Sequence, residues 1–296
     1  MSWLFISLLS QLILGTSAVF DKALLKKKLF NPPAYTFWLG ILGLVSIFLL
    51  PFGFETISLK IISIAILGGV FFILGMLFLF YGLDISEASI TLPVIGGISP
   101  IFTLTIGFFL LNSKPSTGDL LAFAFLLLGA VFLFLVKEKE IRKKSFLFLL
   151  ASSFFLGASN VLSKIVFDRS NFLTGFFWIK IGGIILVLSF LLFKNFRQKI
   201  FFSTKQSPKK HHLLYFSNRA YAGIGSVLFS FAVSLASHPA LVDALQSFKY
   251  IVIFLAAWLI LREKFRGKIL AGKIIATVFI FTGVFILGIT SYFRSI

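Results

Sequence analysis

Ten stretches of this 296-residue chain are each apolar for about the 20 residues that a helix needs to cross a lipid bilayer. They lie at about 3–21, 34–52, 61–82, 88–111, 118–136, 146–167, 173–193, 214–236, 239–261 and 269–291. The interruptions between them are short and polar: Asn31-Pro32-Pro33, Pro51, Lys114-Pro115, Lys137 to Lys144, Lys194 to Lys210, and Arg262 to Lys268. Inside hydrocarbon each backbone group must bond within its own segment, so the spans are expected to be helices. The fold class this implies is an all-α membrane protein of ten transmembrane helices. With 58% hydrophobic and 13% charged residues, a soluble domain of this length could not bury its apolar surface. Cysteine is absent, which removes disulfide, thiolate-zinc and thiol chemistry, and no metal or cofactor is expected. The first segment has no basic residue ahead of it and no small-residue cleavage site, so it is expected to be retained.

The chain also echoes itself. Leu14-Gly15-Thr16-Ser17-Ala18-Val19-Phe20-Asp21-Lys22 returns 142 residues later as Leu156-Gly157-Ala158-Ser159-Asn160-Val161-Leu162-Ser163-Lys164, matching at five of nine positions. Phe37-Trp38 is answered by Phe177-Trp178, Gly43 by Gly183, and the pair Gly118 and Gly129 by Gly272 and Gly283. The expected organisation is two five-helix repeats, residues 1–140 and 141–296. An odd number of spans per repeat inverts the second copy, which is the architecture of an alternating-access carrier.

Lys and Arg crowd the connections that follow spans one, five, seven and nine: Lys22 to Lys28, Lys137 to Lys144, Lys194 to Lys210 and Arg262 to Lys268. The opposite side holds Lys60, Lys114, Lys164, Arg169 and Arg294. By the positive-inside rule the basic loops face the cytoplasm, and both termini lie outside an inner or plasma membrane. The formal charge of +18 is then a match to anionic lipid, and the bilayer rather than nucleic acid is the expected partner.

Ten helices in two repeats, each opening on an L-G-x-S-x-V-x-x-K helix, resemble the EamA-type carriers of the drug/metabolite transporter superfamily. Residues 257–264, Ala-Trp-Leu-Ile-Leu-Arg-Glu-Lys, followed by Gly272 and Gly283, are similar to the ending of that family's repeat. Two departures stand out. Ser113 occupies the place of Glu263 in the first half, and the charge bias puts both termini outside where many relatives keep them in the cytoplasm.

An ionisable group near the bilayer centre costs several kcal/mol and so marks a functional candidate. Lys249 lies near the middle of span nine, with Gln246 and Asp243 at spacings of three on one side of the helix and Tyr250 beside it. Lys249 either lines a cavity or pairs with a carboxylate to hold the bundle. Lys180 in span seven, near Trp178, either lines the same cavity or snorkels to the interface. Asn160 and Gln11 are polar groups within spans that serve a ligand or an interhelical bond. Span four carries Pro93, Gly96, Gly97 and Pro100, which loosen a helix and point to a broken span at the midplane or to a simple kink. In the repeat alignment Pro93 stands opposite Asp243, Gly96 opposite Gln246, Ser99 opposite Lys249 and Pro100 opposite Tyr250. The cavity residues expected are therefore Lys249, Gln246, Tyr250, Asp243, Lys180, Trp178, Asn160, Gly96 and Pro100.

No paired carboxylates and no nucleophile–base pair lie within the spans, so an enzyme is not expected. Walker-type phosphate loops are missing, which leaves exchange or coupling to H+ or Na+ as the energy source. The expected activity is secondary transport of a small polar or amphipathic metabolite with an anionic or zwitterionic group. The alternative is a membrane enzyme or accessory subunit acting on lipid-linked molecules.

Overall fold

The computed structural model describes residues 2–26, 31–86, 88–111, 115–135, 143–206, 209–251 and 267–293, and every regular element among them is helical. In chain order these are α1 (Ser2–Lys26), α2 (Pro32–Ile41, continued by a 3-10 helix Leu42–Phe52), α3 (Leu59–Ile85), α4 (Ala88–Leu110) and α5 (Thr117–Leu135). They are followed by α6 (Lys143–Phe167), α7 (Phe172–Ser189, with a 3-10 turn Phe190–Leu192), α8 (Lys194–Gln206) and α9 (Lys209–Leu235). The last described elements are α10 (Pro239–Ala244, then a 3-10 turn Leu245–Ser247) and α11 (Gly267–Phe293). Leu59–Ile85, Lys143–Phe167, Phe172–Leu192 and Ala271–Thr290 are long and apolar enough to cross a membrane. Shorter apolar helices cover Ser2–Ala18, Pro32–Phe48, Val94–Leu110 and Thr117–Phe132.

Helices in lipid gain little from burying apolar surface against one another, so their seams depend on close backbone approach and hydroxyl–carbonyl bonds. The α3–α6 seam has both. Ser145, Ser152 and Ser159, seven apart on α6, donate to the carbonyls of Gly82, Gly75 and Gly68, seven apart on α3, at 3.3, 2.8 and 2.9 Å. A side chain on Gly75 would stand 2.7 Å from Leu156 Cγ. The α1–α9 seam repeats that approach, since a Cβ on Gly225 would stand 3.0 Å from Leu14 Cγ. Where α5 meets α11, Gly129 faces Ile280 and the carbonyl of Ala276, while Gly283 faces Leu126 and the carbonyl of Ala122. Both carbonyls lie 3.0 Å from the position a Cβ would take. The tightest approach is α3 on α7, where a Cβ on Gly69 would come within 2.7 Å of the Gly183 nitrogen.

Asn31 and Asn171 cap α2 and α7 in the same way, accepting from Ala34 N at 2.9 Å and Thr174 N at 2.8 Å. The 3-10 continuation of α2 ends at Gly53, whose φ of 118° only glycine adopts easily. Its carbonyl accepts from the Asn171 side chain at 2.6 Å, so this linker is pinned to the start of α7.

Two regions differ from the sequence expectation. The basic stretch after span seven contains a helix, α8, which lays buried Ile200 against the fold while Phe201 and Phe202 stay exposed. No proline or glycine interrupts residues 194–206, so nothing in the backbone opposes helix there. The break expected in span four is not found: α4 runs unbroken through Pro93, Gly96, Gly97 and Pro100. The irregular turn lies across from it, at Leu245–Ser247.

Candidate functional site

The segment from His238 to Ile251 is built as an interrupted helix. His238 caps it, its Nδ1 accepting from Ala240 N at 3.2 Å, and Pro239 takes the first helical position, where a missing N–H costs nothing. Helix gives way to a 3-10 turn at Leu245–Ser247 and resumes at Phe248. A 3-10 turn within a helix often marks a functional hinge. Asp243, Gln246 and Lys249 form one string across this turn. Asp243 is fully buried and accepts from the hydroxyls of Ser99 at 2.8 Å and Thr103 at 2.5 Å, both on α4. The Gln246 amide nitrogen donates to its other oxygen. Lys249 Nζ, half-buried, donates to the Gln246 amide oxygen at 2.9 Å. At 1.5 Å per residue Lys249 sits about 16 Å along the axis from His238, roughly half the thickness of a hydrocarbon core.

Two first-half helices flank the string. Tyr250 donates its hydroxyl to the Leu92 carbonyl, the i−4 position to Gly96, and its ring fills the space a side chain on Gly96 would occupy. Of the expected cavity residues it is Tyr250, and not Lys249, that meets Gly96. Consecutive helical residues point about 100° apart, and Lys249 consequently turns to α1, where its Cβ lies 3.1 Å from the position of a Gly15 Cβ. Pro100 is buried within α4. Gln11, one turn before Gly15 on α1, is fully buried, and among the described residues neither its amide oxygen nor its nitrogen has a hydrogen-bond partner. Buried amides without partners are rare in native proteins, and this one is a donor and acceptor available to a ligand or water.

The other expected residues are distributed. Lys180, half-buried on α7, holds its ammonium over the rings of Phe176 at 4.7 Å and Phe72 at 5.1 Å. Trp178, two residues away and so on another face, packs into the core cluster around Trp3, Leu4 and Ala240, with its indole N–H buried and unpartnered. Asn160 is half-buried on α6 beside Ser159. The side chains of Lys22 and Pro93, together with Ser113, Glu263 and residues 252–266, lie outside the described residues.

A second polar cluster went unread in the sequence. Asp21 on α1 accepts from Tyr35 at 2.5 Å, from Asn218 at 2.6 Å and from Arg219, joining α1, α2 and α9. Arg219 also donates to Ser17 at 3.2 Å and lies over the Tyr35 ring, while Tyr215 donates to the Tyr35 carbonyl at 2.9 Å. Asp21, Arg219, Tyr35 and Tyr215 are all buried. The other end of α9 is held by Lys164, whose ammonium donates to the Ser234 carbonyl at 3.1 Å and pairs with Asp168 at 2.7 Å. The string around Lys249 lies between these two closures along the bundle.

Comparison with known proteins finds a family likeness in the first half. Residues 1–135 match the EamA-like transporter family. This is the family whose features the opening helix suggested, and four of the described helices are long and apolar enough to cross a membrane, as a multi-pass membrane protein requires. One solved crystal structure shares the fold over 97% of this chain and 98% of its own, with a TM-score of 0.68 at 16% identity. At that identity the likeness is one of fold alone. No curated protein matches the chain in sequence.

Proposed function

We propose that this protein is a secondary carrier that moves a small polar or amphipathic metabolite bearing an anionic or zwitterionic group, by alternating access. The observation that carries the reading is Lys249: a half-buried ammonium on an interrupted helix, packed against α1 while its neighbour Tyr250 packs against α4. A cation in that position persists with a partner or a substrate anion beside it. The unpartnered Gln11 amide on the same side adds neutral hydrogen-bonding capacity.

Reciprocal packing supports two inverted five-helix repeats and a count of ten spans. Gly129 on Ile280 and Gly283 on Leu126 are one arrangement seen from either half, with a shift of 154 residues for all four. α5 and α11 run antiparallel there, so the local two-fold is perpendicular to both helices and lies in the membrane plane. Gly75 on Leu156 and Gly225 on Leu14 repeat the relation, as do the caps Asn31 and Asn171. The closures at Asp21–Arg219 and Lys164–Ser234 suit gates on opposite sides of the site. By the positive-inside rule the basic loops support a cytoplasmic Asp21 closure with both termini outside.

The test is a thermal-shift screen of the purified protein against organic anions, amino acids and nucleotide sugars, followed by uptake of any hit into liposomes. Saturable uptake that needs no ATP is the expected result. Stabilisation by cationic compounds alone would overturn the anionic-substrate reading.

A further inference from the structure

Asp243 is more enclosed than a substrate ligand needs to be, and its hydrogen bonds do not balance for a carboxylate. Its Oδ2 lies 2.8 Å from the Ser99 hydroxyl and 2.5 Å from the Thr103 hydroxyl. That Thr103 hydroxyl also lies 3.0 Å from the Ser99 carbonyl. A carbonyl can only accept, and a hydroxyl has one hydrogen to give. With Asp243 ionised, Thr103 faces two acceptors and can satisfy one, leaving oxygen against oxygen at the other. A proton on Oδ2 resolves the count: Asp243 donates to Thr103, Thr103 donates to the Ser99 carbonyl, and Ser99 donates to Oδ2. Gln246 donates to Oδ1 throughout. The orientation of that amide is fixed from its far end, because the Lys249 ammonium is donor-only and must meet the amide oxygen.

We propose that Asp243 is a proton-binding site, and that its occupancy is transmitted to Lys249 through the Gln246 amide. The proposal rests on the carrier reading and names its coupling ion. With Asp243 ionised, its charge is opposed by Lys249 across one amide. A proton taken from solution by Oδ2 leaves the Lys249 charge uncompensated, and an anionic substrate restores neutrality. Proton and anion therefore load together, and neither empties alone without leaving a bare charge in the membrane. A sodium ion fits the site less well, since the Gln246 group nearest the carboxyl is an N–H donor and not a lone pair.

Among the described residues the charged and titratable groups around Asp243 are few. Its own segment carries Lys249, Tyr250 and, at its start, His238. α4 faces it with the hydroxyls of Ser99 and Thr103 and has no charged residue. The packed neighbours α5 and α6 carry Asp119 and Lys164, whose fields act at His238. α9 carries Arg219, held in the Asp21 pair.

Infrared difference spectra of the purified protein between acidic and alkaline buffers, in H2O and D2O, test this without knowledge of the substrate. The expected result is a titrating carbonyl band of a protonated carboxylic acid that is deuterium-sensitive, is kept in Asp21→Asn, is lost in Asp243→Asn and moves in Asp243→Glu. If Asp243→Asn does not fold, the shift in Asp243→Glu carries the test. A wild-type protein with no such band, or a band indifferent to both Asp243 variants, overturns the proposal. Either negative leaves the carrier reading standing, because that is judged by uptake of screened compounds into liposomes.

Discussion

Removing Asp21 should cost more than any other single carboxylate change outside the Lys249 string. Its carboxylate is about nine-tenths buried and collects donors from Tyr35, Asn218 and Arg219. Breaking a buried ion pair by deleting one partner costs roughly 3–5 kcal/mol, because the surviving charge stays buried without compensation. Asp21→Asn keeps the shape and the Oδ1 acceptor that all three donors share, but removes the charge that compensates Arg219. Arg219→Met strands the carboxylate instead. Each single change should lower the Tm in detergent by on the order of 10 °C, taking about 2–4 °C per kcal/mol for a chain of this size. The double variant leaves neither charge, so it should lose less than the two singles together, with a coupling of about 2–3 kcal/mol. The native chain lacks cysteine, so Ala18→Cys offers a single label between this cluster and Gly15. If the cluster closes one face of the carrier, a water-soluble maleimide should react faster with that cysteine in the Arg219→Met background. Additive losses in the cycle, together with unchanged labelling, would refute the pairing and the closure.

Lys249→Met retains most of the apolar bulk and removes the charge, so the protein should fold while uptake of an anionic substrate falls about tenfold or more, the loss of one charge-assisted bond of roughly 1.5–3 kcal/mol; unchanged uptake with normal expression would demote the residue to packing. An alkaline phosphatase fused at the C-terminus should be active and a green fluorescent protein fused there dark, and the reverse would invert the orientation. Gly69→Leu should abolish recovery of monodisperse protein, because the obstructing atoms belong to the α7 backbone and cannot rotate away. Gly223→Ala, with nothing within 4 Å of its Cβ position, should be tolerated or slightly stabilising, as size-exclusion profiles and Tm would show.

How much the sequence disclosed depended on whether a property was local. Apolar length calls for helix wherever it occurs, because the bilayer offers the backbone no other partner. The matched spacing of Gly118–Gly129 and Gly272–Gly283 was visible because a seam that needs bare backbone can be written only in small residues. Lys249 was visible because charge at that depth is expensive. Asp21 was hidden beside Lys22 and the basic run that follows, and its partner lies 198 residues away. Nothing local distinguishes that aspartate from a solvated helix end. The direction in which Lys249 points was equally unreadable. It depends on the 3-10 turn at Leu245–Ser247, which winds at about three residues per turn and resets the phase of everything after it.

The two halves agree at their seams and part company at their polar sites. A Cβ on Gly157 of α6 would stand 3.0 Å from the Ser99 carbonyl on α4, and Gly15 on α1 packs against Lys249, so the same groove receives a serine in one half and a lysine in the other. Ser159 donates to Gly68, and its counterpart Ser17 meets Asn218 and Arg219. Shape is thus duplicated while charge is not. A carrier that must present one site to two sides has a reason for both. On the alternating-access proposal, reciprocal seams would let the halves exchange arrangements at nearly equal energy, each seam that opens on one side being matched by an equivalent seam that closes on the other. A duplicated lysine would add a second costly charge with no second anion to neutralise it. Ser99 therefore stands where a second ammonium would, and its hydroxyl is turned to Asp243.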